Sequence, residues 1–291
     1  MAHGQGKIGQ HKSAVIVQLP LACMNEAVAV EFIEQQRWGD TPKCVHCESA
    51  NVYKMTNRKT GERSRRFLWR CRDCKRQSTV RLGTVFEDSR IPLRHWVYAF
   101  WRANTSKKGV AALEIQRQTG LSYRSALFMM HRIRLAMTEF DTAKLTGIVE
   151  SDETWVGGVR RGKGSGYTHN KTAVQALVQR DGPLRVRAIG RVTVRNLRNV
   201  LAEHVDDDAT LMTDDWKGYK VIARRFKGHE SVNHTAGEYS RGDCHVNSAE
   251  GFFALVKRGL HGIYHSVSKN HLHRYLAEFE FRYNGRDLED G

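Results

Sequence analysis

The run "GIVESDETWVGG", Gly147 to Gly158, sets Glu150, Asp152 and Glu153 within four residues of an otherwise apolar and aromatic segment. β-Branched and aromatic residues between glycines predict a strand. A carboxylate in such a strand either points to solvent at an edge or holds a cation, and only partner acids elsewhere can decide between these. Two further segments supply them. "ATLMTDDWKGY" predicts a second strand that ends in Asp214, with Asp215 beside it, and "NSAEGFFALVKRGL" predicts a helix with Glu250 in its first turn. Hard cations take oxygen ligands and keep several waters, so two or three carboxylates suffice for Mg2+ (or Mn2+). Such ions support in-line displacement at phosphorus. Asp152, Asp214 and Glu250 are therefore the expected magnesium ligands. Strand alternation lets only one of Asp214 and Asp215 face the site.

The helix offers a second candidate. Asn247, Glu250 and Lys257 are three and seven residues apart and share one helical face. A carboxylate binds a divalent cation more strongly than an amide, which favours Glu250. Asn247 and Glu250 also form an Asn-x-x-Glu pair, close to a capping box, so Glu250 could instead cap the helix. Lys257 lies roughly 10 Å further along the axis, suited to a DNA phosphate rather than to the metal.

A different chemistry is written in the cysteines. Cys44 and Cys47 form one C-x-x-C pair and Cys71 and Cys74 another, with 23 residues between them. Four thiolates close the tetrahedral sphere of a structural zinc. The intervening "VYKMTNRKTGERSRRFLWR" predicts a hairpin turning at Lys-Thr-Gly, the layout of a zinc ribbon.

Charge separates these regions. The chain has 291 residues, a formal net charge of +16 and a pI near 9.8. From Lys54 to Arg81 there are eleven Lys or Arg against two acids, whereas residues 201–250 hold ten acids and six bases. Solubility alone does not require such clustering; neutralising DNA phosphates does. Arg63, Arg65, Arg66, Arg70 and Arg72 are the expected phosphate contacts. No apolar run approaches the length of a membrane span, and no signal segment is evident, so an intracellular protein is expected.

The elements that must position these groups follow from periodicity. Residues 24–37 predict a helix. "QRQTGLSYRSALFMMHRIR" predicts two helices joined at Gly120-Leu121-Ser122, a helix-turn-helix whose second member presents Tyr123 and Arg124 to a major groove. From Gly147, strands are predicted over 147–156, 172–179 and 184–192, then a helix, the Asp214 strand, a short strand and two helices. That order describes a mixed sheet flanked by helices. The first and fourth strands are neighbours if the intervening hairpin folds outward, which brings Asp152 beside Asp214.

"VESDETWVGG", "MTDDWKGY" and "HVNSAEGFFALVKRG" followed by "HLHRYLAEFEFRYNGR" resemble the catalytic domain of bacterial insertion-sequence transposases. "LGTVFEDSRIPLRHW" and "GLSYRSALFMMHRIRLAM" are similar to the branch that carries an N-terminal zinc ribbon and helix-turn-helix before an RNase H-like DDE domain. The resemblance covers roughly residues 24–287. It implies a metal-dependent enzyme that cleaves phosphodiesters and transfers strands, with a third acidic position that can be Glu or Asn.

The expected fold is accordingly α/β (α+β multidomain): a flexible tail (1–23), a helix and zinc ribbon (24–85), a helix-turn-helix domain (86–142) and an RNase H-like catalytic domain (147–291). The expected function is a DNA transposase acting on the element's terminal inverted repeats and on target DNA. It would work as a homodimer or higher oligomer in the bacterial cytoplasm, on the nucleoid when bound to DNA. The rivals are a nuclease of the same fold without strand transfer, and a domesticated DNA-binding regulator with a decayed catalytic domain.

Overall fold

A computed structural model describes residues 12–138, 143–158, 171–233, 236–238 and 240–287. The chain divides into two compact units. The first holds the residues up to Thr105 together with Ala112–Ile133, and the second holds Ser106–Ala111 and the chain from Arg134 onward.

In the first unit, α1 (Lys12–Met24) and α2 (Glu26–Trp38) precede a three-stranded antiparallel ribbon of β1 (Val52–Lys54), β2 (Trp69–Cys71) and β3 (Gln77–Ser78). Helix α1 replaces most of the expected flexible tail. Its sequence, KSAVIVQLPLACM, is largely apolar, and Ala22 is fully buried. Residues 1–11 of that tail lie outside the described residues. Helices α3 (Leu93–Thr105), α4 (Ala112–Thr119) and α5 (Tyr123–Ala136) complete the unit.

The expected division at residues 85 and 86 is not a structural boundary. Glu26 on α2 accepts the backbone N–H groups of Leu93 and Arg94, at 2.8 and 3.1 Å, and so caps α3. Arg81 donates to the carbonyls of Ser89 and Ile91, and Arg37 to those of Val80 and Leu82. Buried carbonyls in a loop need such donors, and these arginines fasten ribbon and helices into one body.

The second unit is a five-stranded mixed sheet in the order β6-β5-β4-β7-β8. Its strands are β4 (Ile148–Val156), β5 (Thr172–Gln179), β6 (Leu184–Ile189), β7 (Thr210–Asp214) and β8 (Gly228–Val232). β4, β5 and β6 form the antiparallel meander, and β7 and β8 add in parallel on the other side of β4. This is the RNase H-like mixed sheet expected from the sequence, and the hairpin does fold outward. One face packs against α6 (Val194–His204) and the short α7 (Tyr219–Ile222) through Val149, Leu177, Leu201 and Tyr219. The other packs against α8 (Asn247–Gly259) and α9 (Leu272–Asn284). Phe252, Phe253 and Val256 seat α8 on that face, each contributing about 1.5–3 kcal/mol of apolar burial.

Candidate functional site

Strand alternation decides which acids meet. Glu150, Asp152 and Thr154 pair with Val178, Ala176 and Val174, which line the α8 face. Ser151 and Glu153 point to the α7 face. β4 and β7 run parallel with Glu150 opposite Met212. Two residues further along each strand lie Asp152, in the middle of β4, and Asp214, the last residue of β7, so both occupy the α8 face of neighbouring strands, half-buried. Asp215 is exposed beyond the strand.

The turn after β7 has a clear local cause. Asp214 accepts the backbone N–H of Trp216 at 3.1 Å. The Trp216 ring then covers Gly218, where a Cβ would stand 1.8 Å from the ring. The chain continues into Tyr219, whose ring meets Trp216 edge-on at 5.8 Å. The fully buried Tyr219 hydroxyl donates to Glu153 and lies 2.8 Å from Ser151 Oγ, which accepts from Gln175 at 3.1 Å. The spacing of "DDWKGY" thus builds a buried brace behind the acids. Burial pushes Glu153 up to about 8, against the Tyr219 hydrogen bond; the charges of Asp214 and Asp152 add to the rise. Three carboxylates converge here, two on one face of the sheet and one on the other.

Helix α8 carries the remaining candidates. Asn247, Glu250 and Lys257 are all exposed, opposite the face buried by Phe252 and Val256. The helix begins at Asn247 itself, with Val246 at the N-cap and no side-chain cap bond from it. Its cap comes instead from Glu150 on β4. This carboxylate is fully buried and accepts the N–H groups of Ser248 and Ala249, at 2.8 and 3.3 Å, and the Ser248 hydroxyl at 3.1 Å. Arg180 Nε donates to it at 3.2 Å. His245 Nδ1 is equally near but makes no hydrogen bond to it. Glu150 therefore ties the start of α8 to the strand that bears Asp152. The Asn-x-x-Glu spacing suggested a local capping box; the acid that does the capping lies about a hundred residues upstream, where no periodicity signals it.

The donor set of Asp152 and Asp214 fits Mg2+, which binds through one or two carboxylates and keeps waters or phosphate oxygens in its other positions. Glu250 does not join them in a closed group. Among the described residues, the four cysteines form the cluster of three or more metal-binding side chains whose ligand atoms all lie within 4.8 Å of one another.

In that cluster, Cys44 Sγ is 3.6 Å from Cys74 Sγ, and Cys47 Sγ is 3.7 Å from Cys71 Sγ. Tetrahedral zinc with bonds of about 2.3 Å requires sulfur separations of about 3.8 Å, so the quartet fits zinc. The two halves match. Cys44 N–H donates to the Ser49 carbonyl and Cys71 N–H to that of Arg76, five residues on in each case. Glu48 and Lys75, each just after its second cysteine, adopt φ of +58° and +62°. Backbone N–H groups of Cys74 and Asp73 pull the Cys71 thiol down to about 7, easing loss of its proton to solvent when a metal binds the thiolate.

The arginines of the ribbon divide. Arg65, Arg66 and Arg72 are exposed and Arg70 is half-buried. Arg63 departs from expectation. Its guanidinium grips Glu34 with bonds of 2.8 and 2.5 Å, with both side chains largely buried, and lies over the Trp69 ring. Trp69 Nε1 donates to the same carboxylate at 2.6 Å. A buried Glu34 needs this partner, so Arg63 holds the ribbon on α2 and is not presented to phosphate. Helices α4 and α5 are joined by a turn in which Gly120 takes φ +71°, and Ser122 accepts the Ser125 N–H at 3.2 Å at the start of α5. Tyr123 and Arg124 are exposed at the start of α5.

Similarity to known proteins agrees with this architecture. Residues 144–284 match the family model of the ISXO2-like transposase domain, and residues 24–77 match that of the transposase zinc-ribbon domain. The chain is 29% identical over 280 residues to an uncharacterized protein in transposable element ISH50 of Halobacterium salinarum, covering 89% of this chain and 91% of the relative. A shorter similarity, 25% over 101 residues, links it to an uncharacterized transposase-like protein of Haemophilus influenzae, covering 35% of this chain and 80% of that one. Ribbon and catalytic domain follow one another as the two family models do, and the chain belongs to the insertion-sequence transposases that carry a zinc ribbon ahead of an ISXO2-like transposase domain.

Proposed function

We propose that the protein binds the terminal inverted repeats of its insertion sequence, cleaves a phosphodiester there and joins the freed 3′-OH to target DNA. The observation that carries this reading is the placement of Asp152, midway along β4, and Asp214, at the end of β7, on one face of adjacent parallel strands. These two residues would hold Mg2+ or Mn2+, which when bound supplies Lewis-acid charge to the reacting phosphate. The chain itself aligns the acids: the Trp216–Tyr219 turn fixes the Asp214 end, and Glu150 fixes α8 against β4. Glu250 is the favoured third ligand once DNA is engaged, with Asn247 its competitor, and Lys257 holds a phosphate of the end. Water and then the 3′-OH serve as alternative nucleophiles, so no covalent protein intermediate is required.

DNA is engaged by Arg65, Arg66, Arg70 and Arg72 on the ribbon and by Tyr123 and Arg124 on α5. The ribbon contacts hold phosphate and the α5 contacts read sequence. Joining two DNA ends calls for a dimer or higher assembly. The DNA acted on would be cytoplasmic and nucleoid-bound; among the described residues no helix is long and apolar enough to cross a membrane.

The test is a labelled duplex carrying the terminal repeat, incubated with Mg2+ and a target plasmid. The wild-type chain should release a 3′-OH end and join it to the plasmid, while Asp152→Asn should bind the duplex and do neither. Cleavage without joining would identify a nuclease, and binding without cleavage by the wild type a regulator.

A further inference from the structure

The ladder that joins the two acid-bearing strands stops short of the acids. β4 and β7 pair at Ile148–Thr210, Val149–Leu211 and Glu150–Met212. Beyond that point β4 stays paired with β5 as far as Val156, and β7 with β8 as far as Asp214. At Asp152 and Asp214 each strand is thus held by its other neighbour, and the ladder no longer ties one to the other.

Tyr219 bridges this fork from the α7 face. Its side chain is fully buried, as are Ser151 and Gln175. A phenol has one proton to give, and Tyr219 donates it to Glu153. Ser151 Oγ, 2.8 Å from the phenol oxygen, therefore donates to it, and accepts the Gln175 amide at 3.1 Å. Three hydrogen bonds run in one direction, from Gln175 through Ser151 and Tyr219 to the Glu153 carboxylate, so that each polarises the next. Ser151 and Glu153 stand on either side of Asp152 in the chain. One hydroxyl thus pins β4 immediately before and after the first acid. The same residue is tied to the second. Tyr219 N–H donates to the Trp216 carbonyl at 3.0 Å, and Trp216 N–H donates to Asp214 at 3.1 Å. Mg2+ demands near-octahedral oxygens at about 2.0–2.1 Å, so the spacing of two carboxylates that share it must be set by the protein. We propose that Tyr219 is the positioning residue that sets the spacing of Asp152 and Asp214, its hydroxyl spanning the fork where the ladder has ended. The inference rests on the transposase reading of the two acids and adds to it the residue that spaces them.

The full-length, zinc-loaded chain tests it with Mn2+ as the probe, bound without DNA and followed by electron paramagnetic resonance. Tyr219→Phe removes the hydroxyl and keeps the ring. It should weaken Mn2+ binding about 10-fold, the lower end of what is lost when a hydrogen bond behind a metal ligand is cut. The Mg2+ concentration for half-maximal cleavage should rise by a similar factor, while affinity for the terminal-repeat duplex stays unchanged. Leu201→Ala leaves a cavity in the core on the same side of the sheet; it should lower stability and leave Mn2+ affinity alone. Ser151→Ala should shift Mn2+ affinity in the same direction as Tyr219→Phe. The double variant should lose less than the two single losses combined, because both cut one chain of hydrogen bonds. Wild-type Mn2+ affinity in Tyr219→Phe, or an equal loss in Leu201→Ala, overturns the proposal. Should Tyr219→Phe not fold, wild-type affinity in Ser151→Ala overturns it alone. Mn2+ binding that Asp152→Asn leaves intact overturns it as well. A wild-type chain that binds Mn2+ through Asp152 but never cleaves DNA contradicts the transposase reading and leaves the role of Tyr219 standing.

Discussion

Replacing Glu150 tests whether the start of α8 is set by the strand that carries Asp152. The carboxylate is fully buried, receives two backbone N–H groups and one hydroxyl of α8, and pairs with Arg180. In Glu150→Ala the helix loses its cap, at about 1 kcal/mol. The variant also breaks a buried ion pair, which typically costs 3–5 kcal/mol. The lower end applies here, because Arg180 is 19% exposed and keeps the carbonyls of Asp243 and His245 as acceptors. The total is about 4 kcal/mol. Glu150→Gln retains volume and one acceptor oxygen but turns an NH2 group toward donors, at about 1–2 kcal/mol. Urea denaturation of the full chain, followed by a signal from the catalytic unit, should rank wild type above Gln above Ala. Cleavage by Glu150→Gln, measured where the protein remains folded, should fall while end-binding stays intact, since Asn247 and Glu250 ride on the displaced helix start. Both variants within about 0.5 kcal/mol of wild type, the scatter of an ordinary surface substitution, would refute the assignment.

Other perturbations separate the remaining parts. Cys71→Ser should reduce bound zinc from about one per chain to near none by elemental analysis, and weaken DNA binding without altering the catalytic sheet. Arg63→Ala should destabilise the first unit by about 3 kcal/mol in thermal or urea unfolding, through an unpaired Glu34. Neutralising Arg65, Arg66 and Arg72 together should leave stability unchanged and flatten the salt dependence of DNA affinity by up to about 0.9 per lost phosphate contact. Changing Tyr123 or Arg124 should instead alter sequence preference in a competition gel shift. Glu250→Gln should lose cleavage at ordinary Mg2+ concentration, whereas Asn247→Ala should keep part of it; the reverse pattern in the cleavage assay would make Asn247 the third ligand.

The catalytic sheet was legible because its signals are local. β-Branched runs bounded by turn residues marked all five strands, and an outward-folded hairpin was expected to set the strand of Asp152 beside that of Asp214, as the sheet order has it. The cysteine spacing likewise identified the ribbon. What escaped was non-local. Arg63 looked like its neighbours in a basic run, yet its partner Glu34 lies 29 residues away on another element. Glu150 stood in the sequence only as one of three acids within four residues, and its service to α8 depends on a contact spanning 98 residues. Glu153 faces away from Asp152, as alternation requires, but only the fold supplies the Tyr219 that meets it. The tail was read as flexible from its first dozen polar residues, which masked the apolar run that builds α1.

The central claim is that Asp152 and Asp214 hold the divalent cation that cleavage requires. It is tested most directly by Asp152→Cys on the terminal-repeat duplex, assayed with Mg2+ and with Mn2+. A thiolate binds the harder Mg2+ poorly and tolerates Mn2+ better, so the variant should be inactive with Mg2+ and regain cleavage with Mn2+. Wild-type rates from Asp152→Cys in Mg2+, or full cleavage by the wild-type chain in the presence of chelator, would contradict the account.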